Sequence, residues 1–227
     1  LSRAAEADWS RVQPAVFGAL FQASMDRGRR HALGAHFTSE ADIARIVVPT
    51  IVRPWMDRIR GAGTVEVLAQ LRLGLGEYRV LDPACGSGDF LHAAYRAVVQ
   101  LEIEVIRRMR AMGGVVAAGS VVRVGSFLGL ERDPLAAELA RVTLLLGEQR
   151  ARGEQRAALG VDASAGGGEA VIRWDHVDTS ISEADALFVE WPVVDAIVGN
   201  PPFQAKNKLQ AELGVAYVQA LRARYPE

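Results

Sequence analysis

The chain has 227 residues, half of them hydrophobic, with 26 Lys and Arg against 27 Asp and Glu and a net charge of −1. That length suits one full domain with a helical appendage, or an incomplete larger one, and the charge argues against this segment alone being a strong electrostatic nucleic-acid binder. No apolar run approaches the roughly 20 residues that span a bilayer and no signal peptide opens the chain, so the expectation is a soluble, cytoplasmic protein without membrane contact.

The single cysteine, Cys85, excludes an internal disulfide framework. His31, His36, His92 and His176 are scattered, so no metal site is expected. The chain opens on Leu1 and not Met, which leads us to expect a piece of a longer polypeptide.

From Trp9 to Arg30, Val12, Val16, Phe17, Leu20, Phe21 and Met25 recur at helical spacing, which predicts an amphipathic helix docked on the main domain. The run Arg27-Gly-Arg-Arg30 reads as a solvated helix end. A turn through Leu33-Gly34-Ala35-His36-Phe37-Thr38-Ser39 leads to a second predicted helix, 39–60, capped by Ser39 and broken or bent by Pro49 and Pro54. Residues 61–76 read as a loop-bounded segment.

Tyr78-Arg-Val-Leu-Asp82-Pro83-Ala84-Cys85-Gly86-Ser87-Gly88-Asp89-Phe90-Leu91 reads as a buried strand, a glycine-rich turn and a helix start. Gly86 and Gly88 allow backbone N–H groups to approach a small polar ligand. Leu91 stands where a dinucleotide fingerprint needs its third glycine, and no Gly-Lys-Ser/Thr ending marks a P-loop. A plain packing turn remains the alternative at this point.

A helix over 91–112 follows, ended by Gly113-Gly114, with Arg107, Arg108 and Arg110 complementing its dipole. A second strand, 126–131, closes on Glu131, and Asp133-Pro134 starts a third helix. Residues 163–168 read as a surface loop. Strands are expected again at 171–174, at 179–184 ending on Asp185, and at 195–199 running into Asn200-Pro201-Pro202-Phe203. Strands alternating with helices imply a mainly parallel sheet with ligand groups at its carboxyl edge.

Gly34-Ala-His-Phe-Thr38, Asp82-Pro-Ala-Cys-Gly-Ser-Gly88, Gly129-Leu-Glu131, Asp185-Ala-Leu187 and Asn200-Pro-Pro-Phe203 resemble, in that order, motifs X, I, II, III and IV of S-adenosylmethionine-dependent DNA amino-methyltransferases. Motif X in first place is the order of the γ class. The run Asp195-Ala-Ile-Val-Gly-Asn-Pro-Pro-Phe-Gln-Ala-Lys206 and the long helix after motif I look most like the methyltransferase region of MmeI-type restriction-modification enzymes, where nuclease and methyltransferase share one polypeptide.

The resemblance implies an α/β fold: a Rossmann-like methyltransferase sheet with flanking helices, preceded by an N-terminal helical segment. It divides the chain into 1–60, containing motif X, and 61–227, a C-terminally truncated catalytic domain with motifs I to IV. It implies S-adenosylmethionine as cofactor and duplex DNA with a flipped target base as partner. A recognition domain, and a nuclease where one is fused, are expected in other parts of the polypeptide.

Within that frame, Phe37 and Thr38 meet the methionine end of the cofactor, beside Asp82, Pro83, Ala84, Cys85, Gly86, Gly88 and Phe90. Glu131 accepts from the two ribose hydroxyls, since a strand-end carboxylate can take both. Its alternative is a helix-capping acid, for which Asp133 is better placed. Asp185, followed by Ala186, accepts from the adenine amino group, with Asp175 and Asp178 as rivals. Arg132 departs from the usual aliphatic residue and either stacks through its guanidinium or points to solvent.

Asn200, Pro201, Pro202 and Phe203 form the reacting end: two carbonyl oxygens take the hydrogens of an exocyclic amine, and Phe203 offers a stacking face. The expected reaction is methylation of adenine N6. N4-cytosine methylation, a protein methyltransferase of the same fold and an inactive methyltransferase-like scaffold are the alternatives.

Overall fold

The computed structural model describes residues 38–117, 119–160, 179–203 and 206–226. Expectations for residues 9–30, Gly34 to Phe37, the loop at 163–168 and the strand at 171–174 fall outside these residues, as do Asp175 and Asp178.

Helix α1, Glu40–Val47, begins where Ser39 Oγ accepts from the Asp42 N–H at 3.2 Å, and it buries Ile43 and Val47. Pro49 does not end the helical path. Lacking an N–H, it is absorbed by a π-helical turn, Val48–Val52, in which Arg53 N–H reaches back five residues to Val48 O. Helix α2, Arg53–Gly61, then carries Pro54 in its first turn.

The segment expected to be loop-bounded contains a helix, α3, Val65–Glu77, capped by Thr64 Oγ1 on the Val67 N–H. Its glycines serve close packing. A Cβ on Gly74 would stand 3.2 Å from the Trp55 ring, and one on Gly76 would stand 3.0 Å from Val121 O.

Strand β1, Val80–Asp82, is followed by helix α4, Asp89–Ala111. Strand β2, Phe127–Glu131, is followed by helix α5, Pro134–Ala158, whose N-cap Asp133 accepts from the Leu135 and Ala136 N–H groups. Strands β3, Ile181–Glu183, and β4, Ala196–Ile197, precede helices α6, Lys206–Leu213, and α7, Val215–Arg224.

The four strands form a parallel sheet in the order β3-β2-β1-β4. Parallel neighbours require crossovers, which α4 and α5 supply. The strand predicted over 195–199 is shorter in regular geometry, but its pairing extends on both sides through Asp195 N–H to Arg79 O and Val198 N–H to Leu81 O.

One core joins the sheet to α1 through α5. Tyr95 of α4 meets Phe127 of β2 edge-on at 5.2 Å, and the aliphatic wall of α4 includes Val98, Val99 and Ile103. Because β2 and β4 flank β1 on opposite sides, the strand order reverses at β1, and open α/β sheets hold their ligands at the carboxyl end of such a switch point. Asp82, Glu131 and the residues after β3 and β4 all lie at that edge.

Candidate functional site

The glycine turn is fixed by its backbone. Cys85 N–H donates to Leu130 O at 3.0 Å, and Gly88 N–H donates to Cys85 O at 2.8 Å. Gly88 has φ +86 at the N-cap of α4, and a Cβ there would lie 3.0 Å from Ala140 Cα, so conformation and contact both demand glycine. A Cβ on Gly86, by contrast, would enter open space. Pro83, Ala84 and Gly86 remain partly exposed, while Cys85 and Phe90 are buried in the core cluster. Burial raises the Cys85 thiol well above its usual range, which favours the neutral thiol over the thiolate.

Asp82 is 1% exposed, and its Oδ1 accepts from the Ala84 N–H at 3.0 Å. Burial pushes its carboxyl up to about 7, with nearby Glu131 and Asp89 adding to the rise. Gly199, with φ +147, passes directly over it: a Cβ there would stand 2.5 Å from Asp82 Oδ1. Only glycine lets the end of β4 lie this close, and so the Asn-Pro-Pro-Phe segment leaves the sheet beside the glycine turn.

The Glu131 carboxylate faces the turn. Oε2 accepts from the Gly86 N–H at 2.9 Å, while Oε1 accepts from the Arg132 and Asp133 N–H groups at 2.7 and 2.9 Å. Asp133 is the helix cap, as expected, while the backbone N–H groups on both Glu131 oxygens leave less acceptor capacity than the expected pair of ribose hydroxyl bonds requires.

Asp185 follows β3. Its Oδ1 accepts from the Leu187 N–H at 3.0 Å, and its Oδ2 accepts from the Tyr217 hydroxyl at 2.8 Å and lies 3.3 Å from Arg132 Nε. Arg132 therefore neither points free into solvent nor stacks alone: its guanidinium pairs with Asp185 and sits over the Tyr217 ring. Ala186 sits in the turn after Asp185, and its carbonyl accepts from the Trp191 indole at 2.8 Å.

Asn200 Nδ2 donates to Thr38 Oγ1 at 3.4 Å, joining residues 162 positions apart. Pro201, Pro202 and Phe203 are exposed, Phe203 at 91%. The fold thus brings Thr38 to Asn200, Gly199 to Asp82, Glu131 to Gly86 and Arg132 to Asp185. Phe37 falls outside the described residues.

Tyr217 and Phe188 were not anticipated. Their rings meet edge-on at 5.2 Å beside Asp185, but no spacing in the sequence ties a tyrosine of α7 to the end of β3.

A cavity of about 460 Å³ opens from Thr38 and Asp89 between α1 and α4, walled by Ile43, Val47, Val48 and His92. Burial lowers His92 to about 4, which keeps it neutral near pH 7. Glu40, Asp89, Arg96, Gln100 and Arg150 also line it, so the cavity has polar as well as apolar walls, while the sequence-predicted site residues gather at the strand ends. Among the described residues no three His, Cys, Asp or Glu side chains gather as a metal site, and no helix is long and apolar enough to cross a membrane.

Residues 59–215 match the family described as MmeI, DNA-methyltransferase domain. DNA methyltransferase A of Bacillus subtilis (strain 168) is 26% identical over 217 residues, covering 90% of this chain and 24% of that protein. The solved structure of the Type IIL restriction-modification enzyme MmeI in complex with DNA aligns with a TM-score of 0.73 and 32% identity, over 91% of this chain and 28% of that one. The chain spans about a quarter of the length of these relatives.

Proposed function

The chain belongs to the MmeI DNA-methyltransferase domain family, and from that premise we propose that it transfers a methyl group from S-adenosylmethionine to the N6 amine of adenine in duplex DNA. It acts as part of a restriction-modification polypeptide in the cytoplasm. Residues 1–60 carry Thr38 into the site, and 61–227 supply the catalytic framework. The observation that carries this reading is the convergence of Asn200 with Thr38, and of Gly199 with Asp82, at the switch point of the sheet.

The residues fit the cofactor. The open space at Gly86 is a cradle that a side chain would fill. Glu131 Oε2 accepts from the Gly86 N–H and has a further lone pair for a ribose hydroxyl. Asp82 lies at the carboxyl end of β1 beside the glycine turn, where a cationic group of the methionine end would favour its ionised form. Asp185 is the acceptor for the adenine amino group. When bound, S-adenosylmethionine supplies an electrophilic methyl group.

The chain's task is to make a poor nucleophile competent. The lone pair of an exocyclic base amine is delocalised into the ring. With Asn200 Nδ2 committed to Thr38, Asn200 Oδ1 and the Pro201 carbonyl oxygen are the acceptors for the two amine hydrogens, and the prolines hold that backbone rigid. Both acceptors strengthen their bonds as positive charge grows on the nitrogen, so they act mainly in the transition state. The exposed Phe203 ring presents a face for a base flipped out of the helix.

In the polypeptide carrying this chain, Asn200→Ala should lower the methylation rate by about 100- to 1000-fold while leaving cofactor affinity nearly unchanged, the scale seen when one preorganised transition-state contact is lost. Labelled methyl transfer to duplex DNA, followed by mass spectrometry of the nucleosides, tests it. Recovery of N6-methyladenine is expected. N4-methylcytosine would overturn the base assignment, and a fully active Asn200→Ala variant would overturn the mechanism.

A further inference from the structure

Asp185 is held by two side chains, and one of them belongs to α7, beyond the Asn-Pro-Pro-Phe segment. The Tyr217 hydroxyl donates to Asp185 Oδ2 at 2.8 Å, and Arg132 Nε lies 3.3 Å from the same oxygen. The Arg132 guanidinium carbon stands 5.1 Å from the centroid of the Tyr217 ring. Phe188 braces that ring edge-on at 5.2 Å. The Tyr225 hydroxyl donates to Leu187 O at 2.8 Å, so α7 is pinned at two points to the turn that carries Asp185.

We infer that Tyr217 supplies the face on which the cofactor's adenine ring lies, and that Arg132 is the group the adenine displaces from that face. The inference rests on the proposed use of Asp185 as acceptor for the adenine amino group.

The geometry decides between insertion and exchange. A purine sandwiched between guanidinium and phenol needs two van der Waals layers of about 3.5 Å each, roughly 7 Å in all. At 5.1 Å the two groups leave no room for it. An adenine that lies on the Tyr217 face must therefore take the guanidinium's place.

The exchange is physically reasonable. The Arg132 side chain is 49% exposed, and an exposed cation–π contact is weak beside base–aromatic stacking. The hydroxyl bond to Asp185 holds ring and acceptor in one relative orientation, so a purine is offered a face and an edge together. A released Arg132 has solvent within reach.

Calorimetric titration with S-adenosylmethionine, and separately with adenosine, tests the assignment. Tyr217→Ala should weaken both by about tenfold or more, as expected for the loss of one base-stacking ring, whereas Tyr217→Phe, which keeps the ring and loses only the orienting hydroxyl, should lose clearly less. Salt screens the Arg132–Asp185 pair, so wild-type affinity for uncharged adenosine should rise with ionic strength. Arg132→Leu should bind adenosine at least as tightly as wild type and lose that salt dependence.

Wild-type affinity in Tyr217→Ala would overturn the inference, as would equal losses in Tyr217→Phe and Tyr217→Ala. Photolabelling the unaltered protein with 8-azidoadenosine provides a check that needs no variant to fold. An adduct on the peptide bearing Tyr217 supports the inference, and one only on other peptides overturns it. A wild-type protein that binds neither S-adenosylmethionine nor adenosine would overturn the cofactor assignment itself, while one that binds both but is indifferent to Tyr217 overturns only the stacking.

Discussion

Asparagine at position 82 should stabilise the protein, and the gain should depend on pH. Asp82 is buried to 1% exposure, and its carboxyl is pushed up to about 7 from 3.8, chiefly by loss of water. A carboxyl with a raised folded pKa binds its proton more tightly in the folded chain than in the unfolded one. Its ionisation therefore costs nothing below about 3.8, destabilises progressively as pH climbs towards about 7, and reaches its full cost above that.

The interval between the two values corresponds to about 4 kcal/mol at ~1.4 kcal/mol per pH unit. In Asp82→Asn the amide carbonyl can still accept from the Ala84 N–H, now at 3.0 Å from Oδ1, and carries no charge to bury. For a chain of this size the gain at pH 8 is on the order of 10 °C in Tm, shrinking to almost nothing at pH 4. Thermal unfolding followed by circular dichroism at pH 4, 6 and 8 measures it. A difference in Tm that does not change with pH, or a lower Tm for the variant at pH 8, would refute the reasoning.

Two further substitutions probe how the site is supported. Glu102, fully buried, accepts from Arg72 Nε, Val121 N–H, Gln155 Nε2 and the Ser120 hydroxyl, tying α3, α4 and α5 to the segment that leads into β2. Glu102→Ala leaves Arg72 buried without its carboxylate and should cost about 3 to 5 kcal/mol in urea unfolding, with much of it recovered when Arg72 is also replaced by Met. A loss under about 1 kcal/mol would show that the network contributes little.

Gly129→Ala would place a Cβ 2.7 Å from both Cys85 Sγ and Ile181 Cδ1. It should cost about 1 to 3 kcal/mol of stability and weaken cofactor binding through the turn that holds Cys85, and Cys85→Ala should relieve part of both effects. Denaturant midpoints and calorimetric titration of the single and double variants check this.

Periodicity and punctuation made most of the elements legible. The apolar run before Asp82, the glycines after it and the Asp133-Pro134 start predict a strand, a turn and helices that the structure contains, because each rests on short-range chemistry. Asp82, Glu131 and Asn200 were legible as polar residues at strand ends, whereas Thr38, and the choice of Asp185 over Asp175 and Asp178, rested on the resemblance to the DNA amino-methyltransferase motifs. The helix over Val65–Glu77 was not, since Gly74 and Gly76 look like loop residues until Trp55 and Val121 are seen pressed against them. Pro49 likewise looks like a break until a π turn absorbs it.

The tertiary structure alone decided which candidates meet. That Gly199 must be glycine because Asp82 lies beneath it, that Asn200 reaches Thr38, and that Tyr217 and Arg132 share Asp185 are all facts of long-range packing. No local pattern encodes them, because they depend on the order in which the strands are laid side by side. A sequence read residue by residue carries the propensity of each element, while the distances across the sheet exist only once the whole core has closed.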